Sequence, residues 1–129
     1  MRKWIACLSL LALLAGVPMA RLTAQEHAGD KTKTITGEVV DVACWVGSGA
    51  RGEKHKGCAT ACAKGGGALG ILEDTTNKLY IAVAPKPGGD PKEKLMEHIA
   101  HKVAVTGSVS TRSDVSTIAV QSVKMVAAE

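Results

Sequence analysis

Residues 78–110, KLYIAVAPKPGGDPKEKLMEHIAHKVAVTGSVS, decide the fold. Lys78 to Ala84 alternates Leu79, Ile81 and Val83 on one face, the period-2 pattern of a strand. Pro85 to Gly89 is a loop. Asp90 then reads as a helix N-cap, with Pro91 at the first helical position and Glu93 at the capping-box position. Leu95, Met96 and Ile99 give that helix an apolar side. Lys102 to Ser110 returns to strand alternation through Val103, Val105 and Val109. Toward the C-terminus, Thr111 to Asp114 is a turn and Val115 to Val126 a further strand. The apolar phase of that strand slips between Val120 and Val123, which predicts a bulge. Toward the N-terminus, Asp74 to Asn77 is a turn and Ala68 to Glu73 a strand. His55 to Lys64 forms a short helix stopped by Gly65-Gly66-Gly67. Gly47 to Gly57, with its glycines and charges, is a loop. Thr34 to Cys44 is rich in Val, Ile and Thr and reads as the first strand, bent at Gly37.

The order is strand, short helix, two strands, helix, two strands. That order predicts a mainly β chain, a five-stranded OB-like β-barrel with its main helix between strands three and four. The Cys-bearing short helix is an insertion between strands one and two. An open antiparallel sheet with one helix against it is the alternative.

Composition narrows the function classes. The 129 residues fit one domain, and the net charge of +4 misleads. Residues 1–24 carry Arg2, Lys3 and Arg21 and no acid; without them, 13 basic face 12 acidic side chains. Phe is absent, Tyr80 is the only Tyr, and Trp4 and Trp45 are the only Trp. Neither a basic stripe nor an aromatic stacking platform survives, which argues against nucleic acid as a partner.

Residues 1–24 read as a secretory signal peptide: Arg2 and Lys3, an apolar run from Trp4 to Gly16, then small residues. Cleavage falls after Ala20 or Ala24. Ala24 is favoured, because Leu22 suits the −3 position better than Pro18. The apolar run is shorter than the roughly 20 residues of a membrane helix, so no span is expected after its removal. Cys7 precedes the apolar core's end, a poor place for a lipid anchor. Residues 25–33 then form a flexible lead-in and 34–127 the single barrel domain. The expected location is periplasmic or secreted, where paired thiols tend toward disulfides. A mature chain of about 105 residues can hold a Val/Ile/Leu core without staples, so stability alone does not require its cysteines.

The chemistry sits in Cys44-Trp45 and in His55-Lys56-Gly57-Cys58-Ala59-Thr60-Ala61-Cys62. On a helix, His55, Cys58 and Cys62 fall within about 60° of one another. Cys44, at the end of the first strand, approaches from the side. The set Cys44, His55, Cys58 and Cys62 is a Cys3His ligand group for zinc, and its thiolates also suit copper(I). The rival is a disulfide from Cys44 to Cys58 or Cys62, with one spare thiol. The enzymatic reading is thiol redox catalysis, with Arg51, Lys54, Lys56 and Lys64 to favour a thiolate. The spacing is C-x3-C, however, and neither C-x-x-C nor the haem signature C-x-x-C-H occurs. Gly65-Gly66-Gly67 lacks the Lys-Ser/Thr pair of a phosphate loop, so no nucleotide is expected.

Asp41 is a candidate for orienting His55 or a loop amide, or else a solvent-facing strand position. Trp45 either shields the site from water or fills the core. His98 and His101, at i and i+3, are either metal ligands or solvated residues near a helix C-terminus. His27 lies in the lead-in.

Gly37-Glu38-Val39-Val40-Asp41-Val42-Ala43-Cys44, His55 to Cys62, Gly65-Gly66-Gly67 and Val103-Ala104-Val105-Thr106-Gly107 together resemble a family of exported bacterial small-barrel proteins with a D-x-x-C … H-x-x-C-x-x-x-C signature. The resemblance spans nearly all of the mature chain. It implies an envelope location and an OB-like fold, and no particular activity. The expectation is a non-enzymatic domain binding zinc or copper. The alternative is a disulfide-braced domain that binds a peptide, glycan or envelope protein.

Overall fold

The computed structural model describes residues 31–127. The expected signal peptide, Cys7, His27 and most of the lead-in lie outside these residues. Five strands, β1 (Lys31–Asp41), β2 (Leu69–Glu73), β3 (Leu79–Val83), β4 (Lys102–Arg112) and β5 (Val115–Met125), close into one barrel. The barrel order is β1-β2-β3-β5-β4, and β4 pairs back with β1. All neighbours are antiparallel except β3 and β5. This is the expected barrel; the open sheet is not formed.

Closure depends on β1. Its first half pairs with β4 and its second half with β2, and Gly37 and Glu38 pair on both sides. A Cβ on Gly37 would collide with the Leu72 carbonyl oxygen. The bend expected at Gly37 is therefore a point of close backbone approach. β1 also begins three residues before the expected Thr34, so Lys31 to Lys33 belong to the ladder with β4.

The bulge in β5 lies where the apolar phase slips. Val120 pairs with Gly107 and Ser122 with Thr106, which leaves Gln121 as the extra residue. The β4–β5 hairpin turns on Ser113 and Asp114, with φ of 47° and 64°. Both being left-handed, this is the primed turn that suits strand twist.

Ile35, Val39, Leu69, Ile71, Val103, Val105, Ile118 and Val120 fill the barrel. In β3 Leu79, Ile81 and Val83 share one face as expected, and it is the outer one. Tyr80 and Ala82 point inward, whereas Leu79, Ile81 and Val83 are only half-buried. Tyr80 tolerates burial because its hydroxyl meets Lys33 Nζ at 3.2 Å. Leu79 lies over Gly70, which offers no side chain of its own.

The segment between β3 and β4 closes one end of the barrel with Leu95 and Ile99, both fully buried. Ile99 bridges to Val39, whose carbonyl accepts from the Ala100 amide at 2.9 Å. The helix expected from Asp90 is present only as turns and one 3-10 turn, Met96–His98. Asp90 caps Lys92 as expected, at 2.8 Å. About ten residues are too few for an independent helix, and anchoring both Leu95 and Ile99 in the barrel mouth decides their path instead.

Candidate metal centre

The insertion between β1 and β2 leaves and re-enters the barrel at one paired position, Asp41 opposite Leu69. It holds two helices, α1 (Val42–Ser48) and α2 (Lys56–Lys64), and a 3-10 turn at Glu53–His55. α1 is where sequence reading placed the end of a strand. The β-prone run Val39 to Val42 extends the strand pattern, but Asp41 ends it. Its Oδ1 accepts the Cys44 amide at 2.9 Å, an N-cap that starts the helix. Cys44 therefore stands in the first turn of α1. At the other end the Gly49 amide, at φ 70°, closes onto the Cys44 and Trp45 carbonyls.

α2 lies against the barrel through Ala59 and Ala63, one helical turn apart and both buried. Lys92 Nζ reaches the Ala63 carbonyl at 2.8 Å and holds the helix end. Extending the Ala59–Ala63 stripe back by four residues arrives at His55. Cys58 and Cys62 lie one residue off that stripe and face α1. The result is a triangle: the sulfurs of Cys44, Cys58 and Cys62 all lie within 4.8 Å of one another. Cys58 is exposed, Cys44 and Cys62 are half-buried, and all three are thiols.

His55 is not in that group. Among the described residues, the metal-ligating set that closes within 4.8 Å contains the three cysteines alone. His55 ends the 3-10 turn and precedes α2, so the regular helix that would align it with Cys58 and Cys62 starts one residue too late. Its ring lines a small cavity with Glu38, Asp41, Arg51 and Ala59, and its Nε2 is buried without a partner. His101 lies apart from the triangle, 2.8 Å from Lys56 Nζ, and His98 Nδ1 lies 3.2 Å from Met125 Sδ.

Asp41 is 1% exposed, which removes the solvent-facing reading. It accepts the Cys44 amide of α1, whereas the anticipated partners were His55 or a loop amide. Its Oδ2 has no hydrogen-bond partner. The carboxylate beside the Cys44 thiol favours the protonated thiol. Loss of water and the Cys62 thiol add to this, and the Cys44 pKa is pushed up to about 12. Trp45 is half-buried, outside the core, with the Arg51 guanidinium 5.4 Å from its ring centroid. That stack ties α1 to the loop leading to α2.

Sequence reading missed Gly67. A Cβ there would lie 2.8 Å from the Cys62 carbonyl oxygen and 2.9 Å from Asp41 Oδ2. Only glycine lets the chain leaving α2 pass between them. The G-G-G run marked a helix stop and hid this packing role.

Three cysteines thus lie close enough to hold a metal ion. Among the described residues, no helix is long and apolar enough to cross a membrane. No family model, no curated protein and no solved structure matches the chain.

Proposed function

We propose that this chain is a small exported metal-binding domain, non-enzymatic, that holds one metal ion through Cys44, Cys58 and Cys62. The observation that carries the reading is the sulfur triangle, drawn from the two helices of the insertion. The barrel is the scaffold. Asp41 fixes α1, Ala59 and Ala63 fix α2, and Gly67 sets their approach. Zinc and copper(I) are the ions that thiolate ligands select. Export rests on the expected signal peptide, and the family resemblance stands with it as part of this proposal.

Purified mature protein, prepared without chelators, should show in its intact native mass an increment of one metal ion that acid removes. Cys58→Ser should lose that increment; full stoichiometry in the variant overturns the reading.

The second reading is a disulfide. Both Cys58 and Cys62 lie within 4.8 Å of Cys44, so the bridge joins Cys44 to one of them and leaves the other thiol spare. A metal-free mass two protons short would establish it, and the domain would then be a braced binder of a peptide, glycan or envelope protein.

A further inference from the structure

We propose that the triangle is a three-coordinate copper(I) site loaded from its exposed Cys58 corner; this rests on the metal reading above and names the ion. The first argument is donor count. Structural zinc almost always takes four ligands, and iron–sulfur clusters take four cysteines. Among the described residues, three sulfurs close together and no nitrogen or oxygen ligand atom lies within 4.8 Å of all three. Copper(I) has a filled d shell, imposes no fourth ligand, and is selected by thiolate.

The second argument is size. A metal–sulfur bond of about 2.3 Å puts the three sulfurs of a planar site about 4 Å apart. The observed ceiling of 4.8 Å requires only a small contraction.

The third argument is charge. Cu(I) with three thiolates carries two negative charges, which the buried Asp41 opposes. The segment that bears Cys58 and Cys62, residues 51–64, carries Arg51, Lys54, Lys56 and Lys64 against the single acid Glu53. α2 begins without a side-chain cap and with no acid in its first turn. Cys58 is the third residue of that helix.

Loading follows from this asymmetry. A thiol or thioether donor carrying Cu(I) meets exposed Cys58 first. Cys62, one turn along the same helix, displaces a donor ligand, and Cys44 closes from α1. Copper remains Cu(I) throughout. Each thiol that becomes a ligand releases its proton to water, and the donor leaves with its own ligands.

The test loads reduced protein with Cu(I) buffered by a chromophoric chelator under argon. Zinc is added in a parallel series, and X-ray absorption is recorded on both. The expected copper site has three sulfurs and no nitrogen or oxygen ligand. Cys44→Ser, Cys58→Ser and Cys62→Ser should each weaken copper at least tenfold, whereas His55→Ala should change it less than twofold. Far-ultraviolet circular dichroism of each variant separates loss of ligand from loss of fold. A two-sulfur copper site indifferent to Cys44→Ser overturns the three-coordinate proposal. So does a zinc site with a nitrogen ligand that His55→Ala removes. Either result leaves the metal reading standing. Failure of the reduced protein to bind either metal overturns the metal reading itself.

Discussion

Asp41 Oδ1 accepts the Cys44 amide at 2.9 Å, so the last residue of β1 is also the residue that starts the helix carrying the first sulfur. The barrel passes directly into the helix that carries Cys44 at this contact. Without it, the backbone would continue as the strand that Val39, Val40 and Val42 favour, and Cys44 would project along the barrel rim instead of toward α2.

Replacing Asp41 separates its cap from its charge. Asn caps a helix about as well as Asp, so Asp41→Asn should keep the stability of the metal-free protein nearly unchanged. Asp41→Ala should cost about 1–2 kcal/mol, read as a lower urea midpoint at constant slope. Equal losses in the two variants would show that the cap does not hold α1.

The raised Cys44 pKa sets a pH dependence with a definite sign. The folded protein binds this proton more tightly than the unfolded chain, whose thiol has its ordinary value of 9.0. The stabilising effect is therefore complete below pH 9. It is lost as pH rises through the window from 9.0 to about 12. Metal-free protein should unfold more readily across that window, and Cys44→Ser should remove part of the slope. Urea midpoints at several alkaline pH values check this; an identical slope in the variant refutes it.

Much of the barrel was legible because its signals are local and redundant. Alternation in Val103 and Val105, the slipped phase around Gln121 and the glycine stop after Lys64 each report on a few neighbouring residues. The misread parts depend on one residue or on distant packing. α1 hangs on the single cap Asp41 inside a β-prone run. Which face of β3 points inward was not legible, because Tyr80 finds its partner in Lys33, 47 positions away. The Asp90 helix gave way because Leu95 and Ile99 must both enter the barrel. His55 was placed with the cysteines by assuming a helix that begins at residue 55. The helix begins at Lys56, and His55 continues the Ala59–Ala63 stripe instead. The meeting of Cys44 with Cys58 and Cys62 was legible from spacing; the absence of His55 from that group was not.

Metal should act as a clasp between the helices. α1 buries none of its residues, and Val46 is 71% exposed. Its Cys44 meets Cys58 and Cys62 of α2 in the sulfur triangle. Loading metal should therefore slow hydrogen exchange of the amides in 42–48 far more than those of β4. At a free metal concentration of 1,000 times Kd, the domain should gain about 4 kcal/mol. Uniform protection of both regions would show that α1 is already fixed without metal.

Gly67 tests the packing that sets the triangle. In Gly67→Ala the new methyl group meets the Cys62 carbonyl oxygen at 2.8 Å and Asp41 Oδ2 at 2.9 Å. Both are held, one by the end of α2 and the other by burial. The chain must shift, at a cost of about 1–3 kcal/mol. The shift moves Cys62 against Cys44, so metal affinity should fall in the same variant. Unchanged affinity with reduced stability would mean that the triangle adapts independently of this turn.

Leu95 tests whether the irregular segment before β4 is part of the core. It is fully buried in the barrel mouth beside Ile99, although its backbone there makes only turns. Leu95→Ala should cost about 2–5 kcal/mol, the range for an apolar side chain whose space cannot collapse. Exposed Lys94, its neighbour, provides the control: Lys94→Ala should change stability by less than about 0.5 kcal/mol. Leu95 supplies no sulfur to the triangle, so metal stoichiometry should survive Leu95→Ala wherever the protein is still folded. A small cost in Leu95→Ala would show that the segment packs loosely over the barrel rather than closing it.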